Sequence, residues 1–431
     1  MDKILIITYY WPPSGGAGVQ RWLKFSRYLP EFGFEPLVLT VDPQLASYAQ
    51  TDESLELEVS PGLRVFRTRT FEFYNLYKLI SGKKEIPYGG FANSGKVTPL
   101  QKLSRALRGN LFLPDPRRGW NRYAVAKAVR LIKKHGITTV ITTSPPHSTQ
   151  LIGLKLKRRL GIRWIADLRD PWTDIYYYHE LHHTALAAAA DRRMERKVLE
   201  GADGIITVSA DLKRLFTEKL SPGGGDKIAV IPNGYDEADF RQQVAPEASG
   251  RFVITYTGTI SESYDLSGFL EALAGLPPAL RQRIVLRFVG RVPAAVMQQT
   301  GSLPDLATEQ MGYVDHLQSI AFLMRSSLQL LVIPKVENNK GIVTGKFFEY
   351  LASEKPVLAI GPRGGDLEGL IRETGCGRLF GYGEAEAMRD WIASLVGDGA
   401  EATAPVNAGA YSRRALTGRL AALLTTKSAE Q

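Results

Sequence analysis

Two series of short apolar runs, separated by stretches with helical spacing, constrain the fold of this chain more than any other feature. In the first half the runs Ile4–Thr8, Pro36–Val41, Val140–Thr142, Trp164–Asp167, Gly204–Val208 and Ile228–Pro232 read as strands. The second half gives Phe252–Thr257, Val285–Val289, Leu328–Ile333 and Val357–Ile360. Near-continuous apolar runs suit strands buried on both faces of a sheet. Helices are expected between them, at Val19–Phe32, Asp191–Glu200, Asp211–Leu220, Ser267–Leu273 and Lys346–Ser353. Such alternation implies an α/β fold with parallel, doubly wound sheets. At 431 residues the chain is too long for one core, so two domains of roughly 200 residues are expected. The turn-rich stretch from Asn233 to Gly250 separates the two series and gives boundaries of 1–240 and 241–431.

Composition narrows the function classes. With 44% hydrophobic and 23% charged residues the chain is that of an ordinary globular protein. Cys376 is the sole cysteine, which excludes an intramolecular disulfide and a thiolate-cluster zinc site. Neither an acidic triplet nor a His pair has metal-ligand spacing, so no metal and no cofactor are expected. Met1-Asp2-Lys3 leads straight into a strand, and no apolar run approaches the ~20 residues of a membrane span, so a cytoplasmic location is expected.

The net charge of +10 is concentrated. Between Lys78 and Lys134 eight Lys and six Arg face only Glu85 and Asp115, a net +12, leaving about −2 for the rest. Thr98-Pro99 reads as a helix start, and Leu100, Leu103 and Leu107 form a stripe beside Lys102, Arg105 and Arg108. A basic amphipathic helix of this kind either lies on an anionic bilayer or is a solvated helix packed on its own domain. Nucleic acid is not expected as a partner, because the chain carries no fold signature for it.

In open parallel sheets ligands bind beyond the carboxyl ends of strands, so the loops after strands are where chemistry is sought. Gly15, Gly16 and Gly18 follow the first strand and open a helix, letting backbone N–H groups approach a ligand. A nicotinamide-binding turn is disfavoured: Arg21 stands at the third glycine position, and Tyr9 to Pro13 separate strand from glycines. A purely structural turn stays open. His147, after the third strand, is either a ligand group or a satisfied loop histidine. Asp167, Arg169 and Asp170 form either an internal ion-pair cluster or a set that orients acceptor hydroxyls. Lys346 and Glu349 lie three apart at a helix start, on one face, which is either an ordinary solvated face or one where a cation meets a diphosphate and a carboxylate a ribose diol.

The segments Tyr10–Gly18, Ala202–Ser209, Val230–Asp236 and Gly345–Ala359 occur in an order and spacing that resembles glycosyltransferases of the GT-B fold, most closely family 4. That resemblance covers Ile4 to about Leu424 and implies two Rossmann-like domains facing each other across a cleft, with a last helix at about 408–424 crossing back to the first. It implies transfer of a sugar, with retention, from a nucleoside-diphosphate-sugar to a glycan or lipid-linked acceptor, in bacterial cell-surface polysaccharide synthesis. The enzyme would sit peripherally on the inner face of an anionic membrane. The donor would contact Gly15, Gly16, Gly18, Gly258, Thr259, Arg291, Tyr313, Val314, Lys346 and Glu349; Asp167 and Arg169 would bind the acceptor, and Asp170 and His147 would be catalytic. Three positions depart from the pattern. Thr259 replaces an Arg, Gly341 replaces the first of two glutamates, with Asn338 and Asn339 or a backbone amide as substitutes, and Asp170 stands where relatives carry a histidine. These departures keep a rival open, a GT-B-like protein that binds nucleotide or glycan without catalysis.

Overall fold

The computed structural model describes residues 1–72, 105, 108–245, 247, 250–261, 263–397 and 407–426. The chain divides into two compact units, Met1–Pro232 with Arg413–Gln431, and Asn233–Ser412.

In the first unit β1 (Asp2–Ile7), α1 (Ala17–Tyr28), β2 (Phe34–Val41) and β3 (Arg64–Thr68) are followed by α2 (Asn121–His135) and β4 (Thr139–Ser144). Then come α3 (Ser148–Leu160), β5 (Arg163–Leu168), α4 (Ala185–Gly201), β6 (Gly204–Thr207), α5 (Ala210–Glu218) and β7 (Ile228–Val230). All pair in parallel in the order β3-β2-β1-β4-β5-β6-β7. Side chains alternate between faces. Ile4, Ile6, Val38, Ile141 and Ile165 meet Trp22, Leu23 and Phe25 of α1 and Leu416, Leu420 and Leu424 of the C-terminal helix Arg413–Thr425. Leu5, Ile7, Leu39, Val140 and Ala166 pack on the opposite face with Ala124 and Ala128 of α2 and Ile152 of α3. β3 escaped the sequence reading because it is an edge strand whose residues are only half-buried.

The second unit runs β8 (Phe252–Thr257), α6 (Ser267–Ala274), β9 (Ile284–Val289), α7 (Ala294–Gly301), β10 (Ala307–Gln310), α8 (His316–Met324) and β11 (Leu328–Val332). α9 (Gly345–Ala352), β12 (Val357–Ile360), α10 (Asp366–Thr374), β13 (Gly377–Phe380) and α11 (Ala385–Gly397) complete it. Its parallel sheet has the order β10-β9-β8-β11-β12-β13. The edge strands β10 and β13 also lack a long apolar run and were missed. In each sheet the order reverses beside the first strand, between β1 and β4 and between β8 and β11, and ligands of open α/β sheets bind at such switch points.

One buried network ties the first switch point together. The Asp167 carboxylate, at the end of β5, is fully buried and lies 3.2 Å from Arg21 Nη2 of α1. Trp22 Nε1 and Thr143 Oγ1 both donate to its Oδ2 at 2.7 Å, so α1, β4 and β5 share one carboxylate. Arg21 also donates to Pro232 O at 2.8 Å and lies 4.9 Å from the Phe25 ring centre. Burial holds this guanidinium below its usual pKa range, with Asp167 opposing that shift. Removing one partner of such a pair leaves a buried charge uncompensated, so Asp167→Asn should destabilise the protein by about 3–5 kcal/mol. Guanidinium unfolding followed by tryptophan fluorescence checks this; a loss under ~1 kcal/mol, the scale of an exposed pair, would show the Arg21 charge to be compensated elsewhere.

Candidate functional site

Register places the first unit's loops side by side. Ile7 of β1 pairs with Thr142 of β4, and Ser144 pairs with Leu168 of β5, so the segments after these strands leave the sheet together. They enclose a cavity of about 430 Å³ whose lining includes Gly15, Gly16, Gly18, His147 and Asp170. Gly16 has φ 89° at the start of α1, a left-handed conformation that favours glycine. No side chain caps that helix start. By contrast, Asp115 covers the start of α3, accepting from Ser148 N at 2.7 Å.

His147 stacks on the Trp172 indole at 4.9 Å between ring centres. Burial, reinforced by Lys219 and Arg169, lowers its pKa to about 3, so at neutral pH it is an uncharged imidazole. The Trp172 indole donates to Asp191 Oδ1 at 2.8 Å, and Tyr178 OH donates to Oδ2 at 3.1 Å while its ring stacks on His183 at 4.2 Å. One carboxylate thereby orients two aromatic–imidazole stacks, and burial pushes its pKa up to about 6. Burial also raises Asp170 above the ordinary carboxylate range.

Asp167 and Arg169, expected to bind the acceptor, are not among the residues that line this cavity. Asp167 is consumed by Arg21, Trp22 and Thr143. Arg169 donates from Nε to Ser144 O and from Nη1 to Gly18 O, both at 2.9 Å, pinning the glycine loop to the end of β4.

The second unit gathers a different set. Lys346, in the first turn of α9, donates from Nζ to Tyr256 OH at 2.8 Å and sits 4.4 Å from that ring centre. Tyr256 OH in turn donates to Thr259 O at 3.0 Å. Gly258 has φ 99°, and a Cβ there would fall 2.7 Å from Lys346 Nζ, so the missing side chain is what admits the ammonium. Gly290 has φ 129° and packs on Gly258, where a Cβ would fall 2.3 Å from Gly258 O. Burial lowers the Lys346 pKa to about 8, with Glu349 one turn on pulling it up. Thr344, the residue before α9, makes no side-chain cap, and its Oγ1 is buried with no hydrogen-bond partner among the described residues. An ammonium, an uncapped helix start and an idle hydroxyl together form a place for oxyanions.

The remaining donor residues stand apart. Thr259 and Arg291 are exposed and take part through their backbones, Thr259 O accepting from Tyr256 OH at 3.0 Å and Arg291 O from Ile260 N at 2.9 Å. Tyr313, 62% exposed, and Val314 follow β10 and are not part of the Lys346–Gly258 contact. Asn339, offered as a substitute for the glutamate replaced by Gly341, donates instead to Pro334 O at 2.9 Å and Tyr382 OH at 3.0 Å. Tyr256, Thr344, Asp115 and Asp191 escaped the sequence reading. Thr344 alone carried a signal, as a capping residue type placed directly before a helix.

In the basic segment, Leu100, Lys102, Leu103 and Leu107 lie outside the described residues. Arg105 pairs with Glu180 at 3.0 Å, and Arg108 lines the cavity. Among the described residues no helix is long and apolar enough to cross a membrane.

Residues 91–239 match the model of Glycosyltransferase Family 4. The chain is 20% identical over 233 residues to "Probable glycosyltransferase WbjE" of Pseudomonas aeruginosa, a match spanning 52% of this chain and 57% of that protein. Among solved structures, Anabaena HepE in complex with UDP-glucose superposes with a TM-score of 0.59 at 16% identity, covering 98% of this chain and 99% of that one. Sucrose-phosphate synthase of Thermosynechococcus elongatus gives 0.60 at 16% identity, covering 98% of each chain. The two parallel sheets and these neighbours establish the GT-B fold, and in residues 91–239 the chain resembles glycosyltransferase family 4.

Proposed function

We propose that this chain is a glycosyltransferase that moves a sugar from a nucleoside-diphosphate-sugar to a glycan or lipid-linked acceptor, with retention of anomeric configuration. The observation that carries the reading is the Lys346 ammonium, seated against Gly258 at the uncapped start of α9. When the sugar leaves, negative charge grows on the diphosphate, and a preorganised cation and helix N-terminus stabilise it there. Thr344 Oγ1 supplies a further donor, and Glu349 accepts from the ribose hydroxyls. The first unit's cavity holds the acceptor, with Asp170 and the neutral His147 beside the attacking hydroxyl. In a retaining transfer on one sugar face, that hydroxyl's proton passes to the leaving diphosphate. WbjE and HepE, as glycosyltransferase and UDP-glucose complex, support the donor class. A role in cell-surface polysaccharide assembly on a membrane rests on the sequence resemblance and on the basic segment's remaining cations.

Thr259 and Gly341, in place of an Arg and a Glu, favour a second reading, a nucleotide or glycan binder without catalysis. Incubation with a panel of nucleotide sugars separates the two. A transferase releases free nucleoside diphosphate by slow hydrolysis and faster with acceptor; binding with no turnover, with and without membrane extracts, establishes the second reading.

Two hydrogen bonds to a charged carboxylate contribute roughly 1.5–3 kcal/mol each. Glu349→Ala should therefore lower donor affinity or kcat/KM by about a hundredfold to ten-thousandfold, and a folded variant losing less than about threefold would reduce Glu349 to a surface carboxylate. Lys346→Ala should weaken nucleoside diphosphates far more than nucleosides. Equal weakening of both would remove the phosphate role.

A further inference from the structure

Two guanidinium groups, Arg108 and Arg117, line the cavity of the first unit, and the transfer proposed above uses neither. Burial, and then the neighbouring Arg117 charge, hold Arg108 below the usual arginine range. The carboxylates in the same wall are mostly committed. Asp115 accepts from Ser148 N at 2.7 Å, Ser148 Oγ at 2.9 Å and Arg117 N at 2.9 Å. Both Asp191 oxygens are taken by Trp172 and Tyr178. Glu72, outside the cavity lining but close to Arg117, holds Tyr9 OH and Ser47 Oγ. Asp115 also acts on both guanidinium groups, and Asp170 lines the same cavity. Arg117 donates from Nη2 to Ser47 O at 3.2 Å, and its Nε is buried with no hydrogen-bond partner among the described residues. Tyr10, Tyr176 and Tyr177 complete the wall with rings that suit the apolar face of a sugar.

We propose that this cavity takes an acceptor sugar bearing an oxyanion, phosphate or carboxylate, held by Arg108 and Arg117. The assignment rests on the reading that the first unit holds the acceptor. Guanidinium groups match the oxygen spacing of both anions, and desolvated pairs of this kind are stronger than neutral hydrogen bonds.

Isothermal titration with glucose 1-phosphate, glucuronate and glucose tests this on wild type, Arg108→Gln, Arg108→Lys and Lys346→Ala. At least one of the two anions should bind wild type more than about tenfold tighter than glucose, the tighter one naming the acceptor's group. Arg108→Gln should weaken that anion by about tenfold or more, and Arg108→Lys by less. Lys346→Ala should leave it unchanged, since the donor oxyanion place is in the other unit. Nucleoside diphosphate titrated into the same samples reports the second unit separately and should be unaffected by Arg108→Gln. Glucose binding as tightly as both anions, no binding of either anion, no loss in a folded Arg108→Gln, or loss of the anion in Lys346→Ala would each overturn the assignment.

Discussion

In a parallel sheet every strand ends on the same edge, and that constraint determines where all of the chemistry in this protein can be. The two units obey it independently. In the first, β1, β4 and β5 deliver the glycine loop, His147 and Asp170 to one cavity. In the second, β8 and β9 deliver Gly258 and Gly290, and α9 brings Lys346 against them. Burying both faces of each sheet makes the framework stiff enough to hold these loops, since a buried aliphatic side chain contributes about 1.5–3 kcal/mol and each sheet packs two layers of them.

The same edge sorts charged residues by a few ångströms. Asp167 ends its strand inside the sheet, meets α1 and becomes structural; Asp170, beyond the strand, reaches the cavity with a raised pKa. Arg169 between them turns back to carbonyls of Ser144 and Gly18. Three charges close together in the sequence thus have separate places, two in holding the loop and one in lining the cavity. Lys346 shows the complementary arrangement, a cation whose pKa burial lowers to about 8.

Much of this was legible in the sequence. The central strands could be read because they are continuous apolar runs, and Lys346 with Glu349 because three residues on a helix share a face. The edge strands β3, β10 and β13 could not, because short half-exposed strands lack that pattern. Nor could the roles of Tyr256, Asp191 and Arg117, whose partners lie far along the chain and are joined only by the fold. Arg108, read in the sequence as part of a basic helix lying on a bilayer or packed on its own domain, lines a cavity. Charge density alone does not say which way a cation points.

The central claim is that Lys346 receives the donor's diphosphate, and its own titration tests it most directly. Nuclear magnetic resonance of 15N-labelled lysine, assigned with Lys346→Arg, follows the ammonium itself. In the free protein Lys346 should titrate near 8, as its burial beside Tyr256 dictates. A saturating nucleoside diphosphate should move that titration upward by a unit or more, about 1.4 kcal/mol of added preference for the charged form, and the matching nucleoside should not. A titration unmoved by the diphosphate, or moved equally by the nucleoside, would contradict the account.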